Sequence, residues 1–240
     1  MGTDTALAVE KPSVLEQTIQ VDEIQTRYLT AGDGPPLVLL HGAGDSARAW
    51  SWVLPLLGRS HQVLAPDLPG YSPGSVPADD CSPARLARFV ARFLDAVGLD
   101  RVAVAGNSLG GLAALQLALA EPERVTALCL VDSAGLGRAV NAARQPGFLE
   151  ATVASLRAVL GPFGQRQVLV RRLPALTMPT LIVWGTADRV IPITHGRRAV
   201  RRVSRGSLVQ LSRCGHAPQV ECPDSFTEAL SRFLQAVGQR

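Results

Sequence analysis

Val102-Ala-Val-Ala-Gly-Asn-Ser108-Leu-Gly-Gly-Leu-Ala-Ala-Leu-Gln-Leu-Ala-Leu-Ala120 is the stretch that decides the fold. It opens with four apolar residues, breaks at Gly106 to Gly110, and continues as a run of Leu and Ala, both strong helix formers. The reading is strand, sharp turn, helix. A serine at the apex of such a turn is forced into a strained backbone conformation that projects its hydroxyl away from the sheet. Gly106 and Gly110, two residues either side, remove the side chains that would collide there. Ser108 is therefore the candidate nucleophile.

Outward from this turn the same rhythm recurs. Glu16 to Val21 and Glu23 to Leu29 alternate polar and apolar residues around Asp22, the pattern of an antiparallel hairpin at a sheet edge. Short apolar runs then alternate with helical stretches: Leu37 to Leu40 with Ala47 to Leu57, Gln62 to Ala65 with Ser82 to Val97, and Val102 to Ala105 with Leu109 to Ala120. After Val125 to Val131 come Leu181 to Trp184 with His195 to Val203, and Leu208 to Leu211 with Ser225 to Val237. Continuous apolar strands separated by helices predict an α/β fold with a mostly parallel, doubly wound sheet covered on both faces. The rhythm breaks once, between Val131 and Thr180, where no strand is expected. An amphipathic stretch, Phe148 to Leu160, and an Arg-rich one, Gln165 to Arg172, read as a short helical lid inserted at 138–177 over the carboxyl ends of the strands.

The bulk numbers fit one domain over residues 1–240, with 47% apolar and only 18% charged residues. No apolar run reaches the ~18 residues that span a bilayer, and Met1 to Lys11 has no hydrophobic core of a secretory signal. A cytoplasmic protein with no membrane partner is expected. The net charge of +4 is carried by 23 Arg and one Lys. Its densest cluster, Arg197, Arg198, Arg201, Arg202 and Arg205, has no interleaved aromatics and reads as a solvated helix face, so no nucleic-acid partner is expected. Cys81, Cys129, Cys214 and Cys222 lack close spacing and are expected as free thiols, Cys129 as a small buried hydrophobe. Cys214 and Cys222 bracket His216 and could approach one another, but a reducing compartment argues against a bridge. No metal or organic cofactor is expected.

A serine hydroxyl needs a base to take its proton. His61 opens a strand, His195 follows Pro192 at a helix start and His41 sits in a turn with Gly42, each with a structural explanation. His216, in Cys-Gly-His216-Ala-Pro218 just after the last apolar strand, lies at the carboxyl edge of the sheet and is assigned as the base. The imidazole needs a carboxylate on its other nitrogen. Between Ser108 and His216 the only aspartates are Asp132 and Asp188, both at strand ends, and geometry alone excludes neither. The acid is assigned to Asp188, in Gly185-Thr-Ala-Asp188, while Asp132 also suits a cap on the turn before Gly135. The small-residue turn His41-Gly-Ala-Gly44 and the helix start after Ser108 offer backbone N–H groups for an oxyanion, from Ala43 and Leu109.

With these segments in place the chain resembles the α/β-hydrolase superfamily, in its lidded serine esterase-like branch. The resemblance runs from Thr30 to Phe233 and rests on Leu40-His-Gly-Ala-Gly44, Ala65-Pro-Asp-Leu-Pro-Gly70, Gly106 to Gly111, Trp184-Gly-Thr-Ala-Asp188 and Gly215-His216. It implies an eight-stranded sheet with the second strand antiparallel, and an acyl-serine intermediate resolved by water. The lid interval is shorter than usual in that branch. His41-Gly-Ala-Gly44 and Asn107 also resemble the carbon-carbon hydrolases of ring-fission products, although Ala217 stands in place of their tryptophan and Gly44-Asp45 in place of their glycine-proline. The expected activity is hydrolysis of small carboxylic esters. The alternatives are carbon-carbon hydrolysis of ring-fission dienoates, acyl transfer, and a triad-bearing ligand receptor; the oligomeric state is not readable.

Overall fold

Strands β1 (Leu15–Val21) and β2 (Ile24–Ala31) pair antiparallel through a tight turn at Asp22, whose φ of 48° is one that aspartate tolerates. They lead into β3 (Pro36–Leu40), β4 (Gln62–Pro66), β5 (Val102–Asn107) and β6 (Val125–Val131). A separate antiparallel pair follows, β7 (Leu160–Gly161) with β8 (Gly164–Gln165), and then β9 (Thr180–Gly185) and β10 (Gly206–Leu211). The main sheet has eight strands in the order β1-β2-β4-β3-β5-β6-β9-β10, and β2 runs antiparallel to both its neighbours while all later pairs are parallel. The computed structural model describes residues 12–71, 82–138, 160–161, 164–165 and 167–239.

Side-chain alternation divides the core into two layers, because successive residues of a strand face opposite sides. Val38, Leu40, Val102 and Val104 lie on one face, against helices α2 (Pro83–Ala96) and α3 (Leu109–Ala120). Leu37, Leu39, Ala103 and Ala105 lie on the other, with the 3-10 turn Ala47–Trp50, helix α1 (Leu54–Leu57) and the C-terminal helix. Helix α3 is apolar all round because it is buried between the sheet and α2. Helix α2 shows Leu86, Phe89, Val90 and Phe93 to the core and Arg85, Arg88 and Arg92 to solvent. Among the described residues the remaining α-helices are α4 (Thr194–Val200), α5 (Pro218–Glu221) and α6 (Pro223–Gly238). The five arginines from Arg197 to Arg205 are all exposed.

Three details differ from expectation. The helix expected over 47–57 is two short pieces, because Pro55 cannot donate to the carbonyl of residue 51 and a helix must restart beside it. Within the insertion, β7 and β8 pair as two-residue strands around Gly164 (φ 96°), too short to leave any periodicity in the sequence. The third is the cysteines. Cys214 and Cys222 are paired in a disulfide rather than free, because the chain reverses through His216 into α5 and brings their Cα atoms to 6.1 Å, within bridging range. Cys129 is free and buried, and burial pushes its thiol up.

Most of the lid interval 138–177, including all of the expected amphipathic stretch up to residue 159, lies outside the described residues. Its two ends meet. Gln165 N–H donates to Arg138 O at 2.9 Å, Leu169 N–H donates to Gly135 O at 2.7 Å, and the Gln165 side chain accepts from Gly135 N–H. Gln165 and Leu169 thus lie beside the chain that follows the carboxyl end of β6. Among the described residues no helix is long and apolar enough to cross a membrane.

Candidate active site

The candidate nucleophile, base, acids and oxyanion turn lie just past the carboxyl ends of parallel strands: His41 to Gly44 after β3, Ser108 after β5, Asp132 after β6, Asp188 after β9 and His216 after β10. Ligands of open α/β sheets bind at this edge. Ser108 has φ 51° and ψ −112°, a left-handed conformation that a serine adopts only under constraint. The constraint is visible in its bonds. Ser108 N–H donates to Val131 O at 3.0 Å, while Ser108 O accepts from Leu112 N–H at 3.1 Å and Ala134 N–H at 3.0 Å. Gly110 must be glycine, since a Cβ there would run into the carbonyls of Leu40 and His41; this contact seats α3 against the end of β3.

The same approach brings the expected oxyanion turn to the serine. A Cβ built on Gly42 would lie 3.4 Å from Ser108 Cβ and 3.2 Å from Asn107 Oδ1. Ala43 is half-buried and Leu109 buried, and among the described residues neither backbone N–H has an acceptor. The turn is held from behind by His41. Its Nε2 accepts from Leu68 N–H at 2.9 Å and its Nδ1 donates to Gly42 O at 2.8 Å, the pattern of a neutral ring. Burial holds His41 below the usual histidine range, consistent with that tautomer. Asp67 adds a second brace, accepting Ala47 N–H at 2.7 Å while its other oxygen meets Arg27 at 2.8 Å.

Asp188 and His216 form a pair, with His216 Nδ1 2.9 Å from Asp188 Oδ2. Asp188 Oδ1 accepts from Val190 N–H at 2.7 Å and Ile191 N–H at 3.0 Å, so the carboxylate is fixed at both ends. Burial pushes Asp188 up, but the hydrogen bond and charge of His216, together with Asp132 and the Ile191 N–H, more than offset this and leave it below the usual carboxylate range. The Asp188 side chain is 0% exposed and that of His216 16%. His216 Nε2 is buried with no hydrogen-bond partner among the described residues, which leaves it available to receive a proton.

Three residues without an assigned role in the sequence hold this histidine. Asn107, the residue before the nucleophile, donates from Nδ2 to His216 O at 2.9 Å and Val131 O at 3.2 Å. Buried Gln219 donates to Asn107 Oδ1 at 3.3 Å. Glu221 accepts from Gly215 N–H at 2.9 Å and Ala217 N–H at 3.0 Å, gripping the loop on both sides of His216. Only the Cys-Gly-His-Ala-Pro-x-x-Glu spacing hinted at this last clamp, since it reverses the chain over a proline-started helix turn.

The remaining histidines take no part in the Asp188–His216 pair, and among the described residues the buried His195 Nδ1 has no hydrogen-bond partner. His61 Nδ1 lies 2.9 Å from Ser60 Oγ, and buried His195 lies against Gly137. Asp132 is wholly buried beside the pair and accepts from Gly185 N–H at 3.0 Å. One ligand-capable atom each of Asp132, Asp188 and His216 lie within 4.8 Å of one another. The set suits proton transfer better than a metal, because the His216 nitrogen and both Asp188 oxygens already satisfy each other or backbone N–H groups.

Comparison with known proteins agrees with this geometry. The alpha/beta hydrolase fold family matches residues 35–170. The dihydrolipoyllysine-residue acetyltransferase component of the acetoin cleaving system of Cupriavidus necator is 30% identical, over 94% of this chain and 70% of its own length. The 2-hydroxy-6-oxo-6-phenylhexa-2,4-dienoate hydrolase of Burkholderia cepacia is 28% identical, over 85% of this chain and 89% of its own length. Among solved structures, a membrane phospholipase A described as a bacterial virulence factor superposes with a TM-score of 0.85 at 28% identity, covering 95% of this chain and 87% of that one. With an elbow serine, a sheet of this order and a family match over more than half its length, the chain belongs to the alpha/beta hydrolase fold family.

Proposed function

We propose that the chain is a serine hydrolase of small carboxylic esters, with Ser108, His216 and Asp188 as nucleophile, base and acid and the Ala43 and Leu109 N–H groups as the oxyanion hole. The observation that carries this reading is the strained Ser108 beside two unengaged N–H donors, with the Asp188–His216 pair tied to the same elbow through Asn107. His216 Nε2 takes the Ser108 proton as Oγ attacks the ester carbonyl. The carbonyl oxygen becomes an oxyanion that the two N–H groups stabilise. As the tetrahedral adduct collapses, the ester C–O bond breaks and the leaving alkoxide takes the proton from His216. Water then attacks the acyl-serine by the same route in reverse, releasing the acid and restoring Ser108.

The membrane phospholipase A similarity supports ester cleavage, and the dienoate hydrolase of Burkholderia cepacia supports a second reading in which the same serine system acts on a carbon-carbon bond. Ala217 and Gly44-Asp45, which depart from the pattern of the carbon-carbon enzymes, weigh toward the ester. The acetyltransferase component of Cupriavidus necator supports acyl transfer as a further fate of an acyl-serine. The test is steady-state hydrolysis of p-nitrophenyl esters of increasing acyl length, beside a ring-fission dienoate and with an added amine or alcohol nucleophile. Ester turnover that exceeds dienoate turnover and yields free acid supports the proposal. Preference for the dienoate, or acyl product on the added nucleophile, replaces it.

A further inference from the structure

Asp132 is a buried acidic group, beside the proposed pair, that this mechanism leaves unused. It sits at the end of β6 with φ 42°, its N–H continuing the strand ladder to Val183 O at 3.0 Å and its Oδ1 accepting Gly185 N–H at 3.0 Å. Those bonds fix the carboxyl beside the loop that carries Asp188. Its second oxygen, Oδ2, is fully buried and accepts from no N–H or O–H donor among the described residues, yet the Asp132 carboxyl stands within a few ångströms of Asp188 and His216. An ionised carboxylate with a bare buried oxygen beside a second carboxylate is costly. A protonated one has a donor to offer, and Asp188 is an acceptor.

We propose that Asp132 is a positioning residue for the Asp188–His216 pair: in its acid form it donates a hydrogen bond from Oδ2 to the Asp188 carboxylate and holds that carboxylate against the imidazole. The inference rests on Asp188 and His216 being the acid and base of the proposed function. Burial first, and then the Asp188 charge, holds the Asp132 carboxyl well above the usual carboxylate range. Among the described residues the titratable groups around it are Asp188 after β9, and His216 and Glu221 after β10; Glu221 adds a further repulsive charge. Buried His195, on α4, is close enough to Asp188 to feel its charge. Asp132 thus carries a proton where His216 needs a single, fixed anion.

The experiment compares wild type with Asp132→Asn, Asp132→Ala and Asp188→Asn, using p-nitrophenyl acetate over a range of pH, with infrared difference spectra of wild type and Asp132→Asn. The asparagine amide can donate where the acid did, so Asp132→Asn keeps kcat within about fivefold and leaves the acidic limb of kcat/KM within about 0.3 pH unit. Asp132→Ala loses roughly 10- to 100-fold in kcat as Asp188 loosens. Its acidic limb moves to higher pH, because an Asp188 without that donor stabilises the imidazolium more strongly. The spectrum of wild type at neutral pH shows a protonated carboxyl C=O stretch that Asp132→Asn lacks. An acidic limb that falls by about one unit or more in Asp132→Asn would identify an ionised Asp132 and overturn the proposal. Absence of the band from wild type would do the same, and it can be read even if Asp132→Ala does not fold. These failures leave the assignment of Asp188 untouched. If Asp188→Asn stays active while Asp132→Asn does not, the assignment of the acid itself is overturned.

Discussion

Asn107→Ala isolates the link between the elbow of the proposed nucleophile, Ser108, and the proposed base, His216. The substitution removes two donated hydrogen bonds and one accepted one: to His216 O (2.9 Å), to Val131 O (3.2 Å) and from Gln219 Nε2 (3.3 Å). Val131 O keeps the Ser108 N–H at 3.0 Å, so the groups left without partners are the His216 carbonyl and the buried Gln219 amide. At about 1–3 kcal/mol for each unsatisfied buried group, with the partly exposed His216 segment at the low end, the cost is roughly 2–4 kcal/mol. In a domain of this size that lowers Tm by roughly 4–16 °C. The His216 loop keeps its Glu221 clamp, so it loosens without detaching. Displacement of a base by a fraction of an ångström to 1 Å costs roughly 10- to 100-fold in kcat with little change in KM. Thermal melts by circular dichroism, and steady-state kinetics with p-nitrophenyl acetate, measure both. Asn107→Asp is the sharper control, because it keeps the shape but turns an acceptor toward two carbonyls, and it should be at least as damaging as alanine at pH 8 or so. Asn107→Ala with Tm within about 1 °C and kcat/KM within about twofold of wild type, or Asn107→Asp close to wild type, would refute the reasoning.

Other predictions follow from the same bonds. His216→Asn should abolish the acidic limb of kcat/KM together with nearly all turnover, and a limb that persists points to another base. Glu221→Ala, which removes an exposed acceptor from Gly215 and Ala217, should cost only a few-fold in kcat with Tm nearly unchanged; a loss as large as that of Asn107→Ala would contradict the ranking. His41 is held below its ordinary value of 6.5, so the unfolded chain binds a proton that the folded chain refuses. Its contribution to stability is complete above about pH 6.5 and is lost as pH falls below it, so Tm should decline on acidification and His41→Gln should flatten that decline. For the Cys214–Cys222 bridge, thiol titration of unfolded, unreduced protein should find two of the four cysteines reactive. Reduction should cost about 2.5 kcal/mol, the chain-entropy value for so short a loop, and four reactive thiols before reduction would contradict the pairing.

Much of this was legible in the sequence because the informative signals were local. The strand-turn-helix at Val102 to Ala120 specified β5, Ser108 and α3 without long-range information, and the alternation about Asp22 marked the β1–β2 hairpin. The positions of Asp188 and His216 followed from strand ends, which periodicity locates well. What the sequence left open depends on contacts between distant segments. Asn107 meets His216 across 109 residues, and nothing in Gly-Asn-Ser says which carbonyl its amide will find. The choice between Asp132 and Asp188 was open for the same reason: both end strands, and only the β9 loop, turned back by Val190 and Ile191 onto Asp188 Oδ1, sets which of them reaches the imidazole. The disulfide departs from the expected free thiols because Pro218 and Glu221 impose a loop reversal that the cysteine spacing alone does not show.

The central claim is that Ser108 attacks, and covalent trapping tests it most directly. Incubation with a fluorophosphonate or sulfonyl fluoride, followed by peptide mass spectrometry, should find one adduct per chain, on Ser108, formed in step with loss of esterase activity and absent from Ser108→Ala, whose kcat should fall by about 10³- to 10⁶-fold. An adduct on a different serine, or an alanine variant that still hydrolyses p-nitrophenyl acetate at near the wild-type rate, would contradict the account.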